Sequence, residues 1–305
     1  MTVPRVIHQT WKDDRVPAQY QAWHRSVRDL HPHHEHRLWT DADNRRLIAE
    51  HFPGVLAAYD GFAHDIERAD TARYAILAVH GGVYVDLDME LLRPVDQLLE
   101  PHDLVFSLEA GPVIAQTEIS NAFMACEAGE PFFVELLEHI ATTDAPDVTW
   151  SEMLARTGPA LVHRQLLAGP HGRRATVVGL DHICPVGVLS QHPHLPHPRT
   201  VEAVRRRRDL VALHHNTESW VPHLRPPDPP PPGYRLLPDH DLPGHDRRFV
   251  EVHDDLDVLV AACDADADAV GFNSNGFVKG PGEIVPVDRE GGHWLCLKVE
   301  GLRAG

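Results

Sequence analysis

Apolar and polar positions change period several times along the chain, and each change marks an element. "PRVIHQTW" near the N-terminus is a short apolar run that predicts a strand, and "HEHRLWTD" predicts a second strand ending in a turn. "NRRLIAEHF" and "AHDIERADTARYAILAVH" place apolar residues at helical spacing, and Gly81-Gly82 closes the second as a C-terminal stop. "VYVDLDMELL" alternates like a strand, while "EPFFVELLEHIA" and "GPALVHRQLLA" return to the helical period. Strands alternating with helices predict an α/β sheet with covering helices. "LRPPDPPPPGYR" can be neither helix nor central strand. Residues 226–233 are therefore expected to form a stiff linker between a domain over 1–225 and a small α+β appendage over 234–305.

One strand breaks the rule that buried faces are apolar. In "GGVYVDLD" (81–88) Val83, Val85 and Leu87 would point one way, and Tyr84, Asp86 and Asp88 the other. Two carboxylates so close repel, and one takes up a proton unless a cation sits beside them. Oxygen ligands at this spacing suit a hard divalent ion, Mg²⁺ or Mn²⁺, which in turn binds a diphosphate. Taken by itself, "DLD" also fits a turn whose aspartates cap backbone groups, or a solvated edge strand. The preceding helix adds context. Ile66, Asp70, Arg73 and Leu77 share one face, and two of them are charged. Asp70 and Arg73 can pair with each other one turn apart. Alternatively they reach a cleft near Asp86, where a polar ligand would offset the cost of burying them.

Composition narrows the choice of partner. Lys and Arg number 28 against 45 Asp and Glu, a formal charge of −17, which argues against nucleic acid or an anionic membrane as main partner. No signal-peptide pattern opens the chain and no window reaches a membrane-spanning length, so a reduced, cytoplasmic enzyme is expected. Cys126, Cys184, Cys263 and Cys296 show no C-x-x-C spacing, and a Cys263–Cys296 bridge stays open.

The stretch "ADTARYAILAVHGGVYVDLD" resembles the D-x-D region of glycosyltransferase family thirty-two, which includes the yeast outer-chain mannosyltransferases and is related to the large clostridial glucosylating toxins. The matching positions are Asp70, Arg73, Gly81, Gly82, Tyr84, Asp86 and Asp88. "VPRVIHQTWKDDRVP", "HEHRLWTD", "ISNAFMACEAGEPFF", "TGPALV" and "ALHHNTESW" follow the family's order, so the resemblance spans roughly residues 3 to 222. It implies a GT-A fold with a Rossmann-like mixed sheet, a UDP- or GDP-linked sugar donor, a carbohydrate or other hydroxyl acceptor, Mn²⁺ or Mg²⁺, and retention of configuration.

The resemblance also implies roles. Asp88 would be the direct metal ligand, and Asp86 would meet ribose or sugar hydroxyls, touching the metal through water. Ile7 and Trp11 belong to the N-terminal donor-binding strand, Trp11 offering a flat surface to the base. Arg73 would hold a phosphate or sugar oxygen, Asp70 would accept from sugar hydroxyls, and Tyr84 and Asn121 complete the donor side. His214 would fill out the metal shell, with His215 as the alternative, and Ser219 and Trp220 would close over the diphosphate. No side chain stands out as a nucleophile, so front-face transfer is expected rather than a covalent intermediate on Asp70.

Other signals carry less. The histidines of "HPHHEH" (31–36) cannot all face one ion from a strand, and "HPHLPHP" (192–198) is a proline-broken loop. "RRRR" (205–208) reads as a solvated face, and "DADADA" (264–269) lacks the glycine and final glutamate of a calcium loop. "CDADADAVGFNSNGFVKG" with "GGHWLCLKV" is faintly similar to PAN/apple-type modules, which suggests an acceptor-binding appendage. The competing readings are a non-catalytic carbohydrate-binding protein on the same fold and a metal hydrolase using the histidine clusters.

Overall fold

Val6–Thr10, apolar at Val6 and Ile7, forms β1 in the computed structural model, which describes residues 3–100, 102–110, 117–143, 150–185, 204–215, 227–238, 240–242, 246–250, 256–274, 276–286 and 294–299. Helix α1 (Ala18–Leu30), β2 (Glu35–Trp39), α2 (Asp41–His51), α3 (Leu56–Gly61), α4 (Asp65–His80) and β3 (Gly82–Val85) follow. Then come β4 (Met89–Leu91), α5 (Asp96–Leu99), β5 (Leu104–Ala110), β6 (Thr117–Cys126), α6 (Pro131–Ala141), α7 (Trp150–Arg156) and α8 (Pro159–Ala168). The strands β7 (Thr176–Val178), β8 (Ile183–Pro185) and β9 (Ala212–His214) end the larger unit. The "turn" expected after β2 is a helix start: Thr40 and Asp43 form a reciprocal capping box on α2.

The main sheet has the order β2-β1-β3-β6-β5-β7. β2, β1 and β3 are parallel, β6 runs antiparallel between β3 and β5, and β7 is parallel to β5, so the sheet is mixed as expected. Alternation along β3 sorts the core: Tyr84 joins the layer of α4 and α6 with Tyr74, Phe106 and Phe133, and Val83 and Val85 join Ile7 and Val27 on the other face. Ile7 is thus a core residue, 1% exposed, and is corrected from the donor-binding set.

Helix α4 departs from a simple amphipathic stripe. It packs against α2, α3 and α6 as well as the sheet, and every residue from Asp70 to Ala78 is buried. It ends at Gly81 (φ +60°) and Gly82 (φ +90°), left-handed positions that admit glycine. A Cβ on Gly82 would lie 2.5 Å from Val6 Cγ1 and 2.6 Å from Val6 O, both within the sheet. Gly82→Ala is expected to cost about 2 kcal/mol or more through strain and overpacking together. Urea unfolding checks this, by a lowered midpoint at unchanged slope.

The same corner holds a buried histidine. His8 is 0% exposed, its Nδ1 accepts from Trp39 Nε1 at 3.0 Å and its Nε2 lies 3.0 Å from Gly81 O, which fixes a neutral Nε2–H tautomer. Burial pushes its pKa down to about 4 against the bond to Gly81, with the neighbouring His80 adding to the drop. Between the ordinary value of 6.5 and about 4 the unfolded chain binds a proton that the folded chain refuses, so His8 lowers stability as pH falls through that window. The full loss is about 3 kcal/mol. Stability measured from pH 7 to pH 4.5 should fall, with the His8 ring still neutral by NMR at pH 5.

The strand expected over "VYVDLDMELL" is interrupted. β3 stops at Val85, Asp86 to Asp88 turn with Met89 N donating to Asp86 O at 3.1 Å, and β4 belongs to a separate sheet, β4-β9-β8. Two carboxylates at the end of a buried strand favour leaving it for a solvated turn.

The chain divides into Met1–Thr217 and Glu218–Gly305, so the division falls before the expected linker at 226–233. The described residues 227–233 contain neither helix nor strand. The smaller unit contains β10 (Tyr234–Pro238), β11 (His240–Asp241), β12 (Asp246–Phe249), α9 (Leu256–Asp264), β13 (Gly271–Asn273), β14 (Phe277–Lys279), β15 (Val285–Pro286) and β16 (Trp294–Lys298). Its antiparallel sheet has the order β10-β16-β13-β14-β12, and its core gathers Leu259, Phe272, Val278 and Trp294. Cys263 and Cys296 lie in this core as free, buried thiols rather than a bridge. Asp266 and Asp268 of the acidic run pair with Arg247. No helix among the described residues is long and apolar enough to cross a membrane.

Candidate active site

The turn after β3 is held from three sides. Asp86 N donates to Ala122 O at 2.9 Å, and Gln9 Nε2 reaches Asp86 O at 3.4 Å. Thr10 Oγ1 lies 2.8 Å from the Tyr84 hydroxyl, which donates to Asp86 Oδ1 at 2.8 Å. Arg73 Nη1 donates to Asp86 Oδ2 at 3.2 Å and to Asn121 O at 2.9 Å. Arg73 Nη2 stands 3.1 Å from Asp70 Oδ1, so the two arrangements open in the sequence occur together: Arg73 pairs with Asp70 and reaches Asp86.

A β-bulge makes this reach possible. Phe106 faces Met124 but Ser107 faces Ser120, which leaves Asn121 to Phe123 of β6 without partners in β5. The displaced Asn121 donates through Nδ2 to Asp70 Oδ1 at 2.8 Å and to the Tyr74 hydroxyl at 3.0 Å, and Thr157 Oγ1 lies 3.3 Å from Asp70 Oδ2. Burial pushes the Asp70 carboxyl up to about 7 against the pull of Arg73. Burial likewise raises Asp86, opposed by Arg73 and reinforced by Asp88.

Asp70, Arg73 and Asn121 are 4%, 4% and 6% exposed, with their polar atoms directed at one another and at Asp86. Tyr84 is fully buried beneath the Arg73 guanidinium, 4.9 Å from it. Arg73 and Tyr84 thus hold the Asp86 carboxylate, and Asp70 and Asn121 hold Arg73.

β9 brings in the third candidate ligand. Met89 pairs with His214, which places His214 Nε2 3.4 Å from Asp88 Oδ1. Asp86, Asp88 and His214 each offer a ligand atom, all within 4.8 Å of one another. An octahedral Mg²⁺ or Mn²⁺ with bonds of about 2.1 Å sets neighbouring donors about 3 Å apart and opposed ones about 4.2 Å apart. The donor set of two carboxylates and an imidazole therefore fits a divalent ion after small side-chain adjustment. Burial opposes a charged His214, but Asp88, then Glu109 and Asp86, push its pKa up to about 9. That is the excess negative charge a cation would neutralise.

His215 points elsewhere, as adjacent strand residues must. It stacks on Trp23 at 3.9 Å and lies 2.9 Å from Glu90 Oε2, itself paired with Arg205. Trp11 is half-buried, edge-on to Tyr20 at 5.5 Å, with a buried indole N–H that finds no partner among the described residues. Ser219 and Trp220 lie outside the described residues, as does the 192–198 loop. Glu109, which no motif announced, accepts from Ser120 Oγ at 2.7 Å. Burial raises its carboxyl, opposed by His214. The Glu67–Arg156 pair behind Asp70 (2.7 Å through Arg156 Nε) also went unannounced, because its partners are far apart in sequence.

A family model described as "glycosyltransferase sugar-binding region containing DXD motif" matches residues 17–105. Residues 17–105 are thus similar to that sugar-binding region. The resemblance drawn from Asp70 through Asp88 is thereby borne out, and the matched D-x-D is the turn of Asp86 and Asp88. Over 138 residues the chain is 38% identical to inositol phosphoceramide mannosyltransferase 3 of Schizosaccharomyces pombe, covering 45% of this chain and 37% of that one. Over 158 residues it is 33% identical to mannosyl phosphorylinositol ceramide synthase SUR1 of Saccharomyces cerevisiae, covering 52% of this chain and 40% of that one. The chain thus spans about two fifths of the length of these curated relatives. Among solved structures, the PaToxG glycosyltransferase superposes with a TM-score of 0.43 at 13% identity, over 56% of this chain and 71% of that one. At that score the likeness adds nothing to the architecture given above.

Proposed function

We propose that the chain is a metal-dependent, retaining glycosyltransferase of GT-A type, moving a hexose from GDP-mannose or a UDP-hexose to a saccharide or other hydroxyl acceptor. The observation that carries the reading is the convergence of Asp86, Asp88 and His214 within 4.8 Å at the end of β3, inside the matched D-x-D region. The relatives' names favour mannose as the sugar and inositol phosphoceramide as the first acceptor to try.

Asp88 and His214 would hold the ion, with Asp86 beside it, and a bound divalent cation would offset the charge that builds on the departing diphosphate. Arg73 and Tyr84 fix the carboxylate of Asp86 so that it is already oriented when a donor arrives. Trp11 offers the base a flat surface and a free indole N–H. In the transfer, the bond from the sugar anomeric carbon to the diphosphate oxygen breaks and the bond to the acceptor oxygen forms on the same face. The acceptor proton passes to the leaving phosphate. Asp70 is too enclosed to attack that carbon, which supports front-face transfer over a covalent intermediate.

The test is nucleoside diphosphate release from a panel of UDP- and GDP-sugars, with Mn²⁺ or with chelator. Release from one donor that stops with chelator is the expected result. Silence across the panel, with no donor binding by calorimetry, would overturn the reading in favour of a non-catalytic carbohydrate-binding protein.

A further inference from the structure

A concave site lies on the larger unit, and its lining includes none of Asp86, Asp88 and His214. A cavity of about 580 Å³ is formed by α1, the connection after it and the start of β2, and His24, Arg25, Arg28, Asp29, His31 and His36 line it. Arg25 and Arg28 share a helix face one turn apart, and neither guanidinium has a hydrogen-bond or ion-pair partner among the described residues. Several other arginines of the unit are engaged: Arg45 with Asp60, Arg68 with Asp65, Arg205 with Glu90 and Arg207 with Asp209. Asp29, the acid of the lining, pairs with neither Arg25 nor Arg28.

The imidazoles are arranged to the same end. His31 is consumed structurally, Nδ1 bonding Val27 O at 2.8 Å and Nε2 accepting from Val95 N at 2.9 Å, so it forms a fixed wall. His24 commits Nδ1 to Gln9 Oε1 at 2.6 Å, which leaves Nε2 as its nitrogen without a partner among the described residues. His36 commits Nε2 to His31 O at 3.1 Å and likewise leaves Nδ1. Burial lowers the His24 pKa, and the nearby Arg28 and His36 add to the drop. Arg25 and Arg28 are exposed at the concavity, and two unpaired, forked guanidiniums one turn apart match a phosphoryl oxygen cluster.

We propose that this cavity binds a phosphoryl group, a phosphate monoester or diester carried by a soluble sugar phosphate or a lipid headgroup. The test is calorimetry of the full chain with inorganic phosphate in metal-free buffer. Arg25→Gln/Arg28→Gln should weaken saturable binding by about tenfold or more. Arg45→Gln/Arg205→Gln, with the same loss of charge elsewhere, should leave it intact. Equal weakening in both variants, or no saturable binding by the wild type, would overturn the proposal. Asp88→Asn should keep phosphate binding, which separates this site from the glycosyltransferase reading. Loss in Asp88→Asn would assign the phosphate to the D-x-D turn and overturn the proposal. A hexose 1-phosphate and vesicles of phosphatidylcholine with phosphatidylinositol then distinguish the sources: whichever needs Arg25 and Arg28 names the ligand.

Discussion

Asp88→Asn is expected to lower donor turnover by about a thousandfold or more, the scale of losing a preorganised charge at a developing anion. The substitution keeps the shape of the side chain and the backbone bond from His215 N to Asp88 O at 3.0 Å. It removes the negative charge that faces His214 at 3.4 Å and contributes to the metal set. An amide oxygen is a weaker ligand for a hard cation, and it no longer compensates a charged imidazole. Steady-state release of nucleoside diphosphate measures the effect, and circular dichroism checks that the fold persists. Turnover within tenfold of wild type would mean that Asp88 has no part in the transfer.

The largest effect on stability is expected from Arg73→Met. Arg73 is a buried cation between Asp70 and Asp86, and it also donates to Asn121 O across the β6 bulge. Deleting it leaves the buried Asp70 carboxylate and the half-buried Asp86 carboxylate with one guanidinium fewer, which costs about 3–5 kcal/mol. Arg73→Lys should recover part of this, since an ammonium keeps the charge but cannot reach Asp70, Asp86 and Asn121 O together in the guanidinium's planar fork. Urea unfolding of the three proteins gives the comparison. A loss below about 1 kcal/mol for Arg73→Met would contradict a buried ion network here.

Much of this site was legible because its parts are close in sequence. The helical period through Asp70 and Arg73, the Gly81-Gly82 stop and the D-x-D lie within 19 residues, and local rules read such stretches well. His214 came from the resemblance alone, since its meeting with Asp88 depends on β9 pairing with β4 across a long connection. The β6 bulge that turns Asn121 inward to Asp70 leaves no periodic trace in the sequence. Ile7 shows the opposite failure. Membership of a functional strand does not make each of its residues functional, and alternation sends Ile7 into the core. The uninterrupted strand over 83–92 failed because period alone cannot see that Asp86 and Asp88 favour a solvated turn over a buried ladder.

The most direct test of the central claim is Mn²⁺ binding, followed by calorimetry in the presence of a nucleoside diphosphate. The account predicts one Mn²⁺ per chain, with affinity lowered at least tenfold by Asp88→Asn and by His214→Gln, and unchanged by His215→Gln. Mn²⁺ binding that is indifferent to Asp88 and His214, or no binding at all, would contradict it.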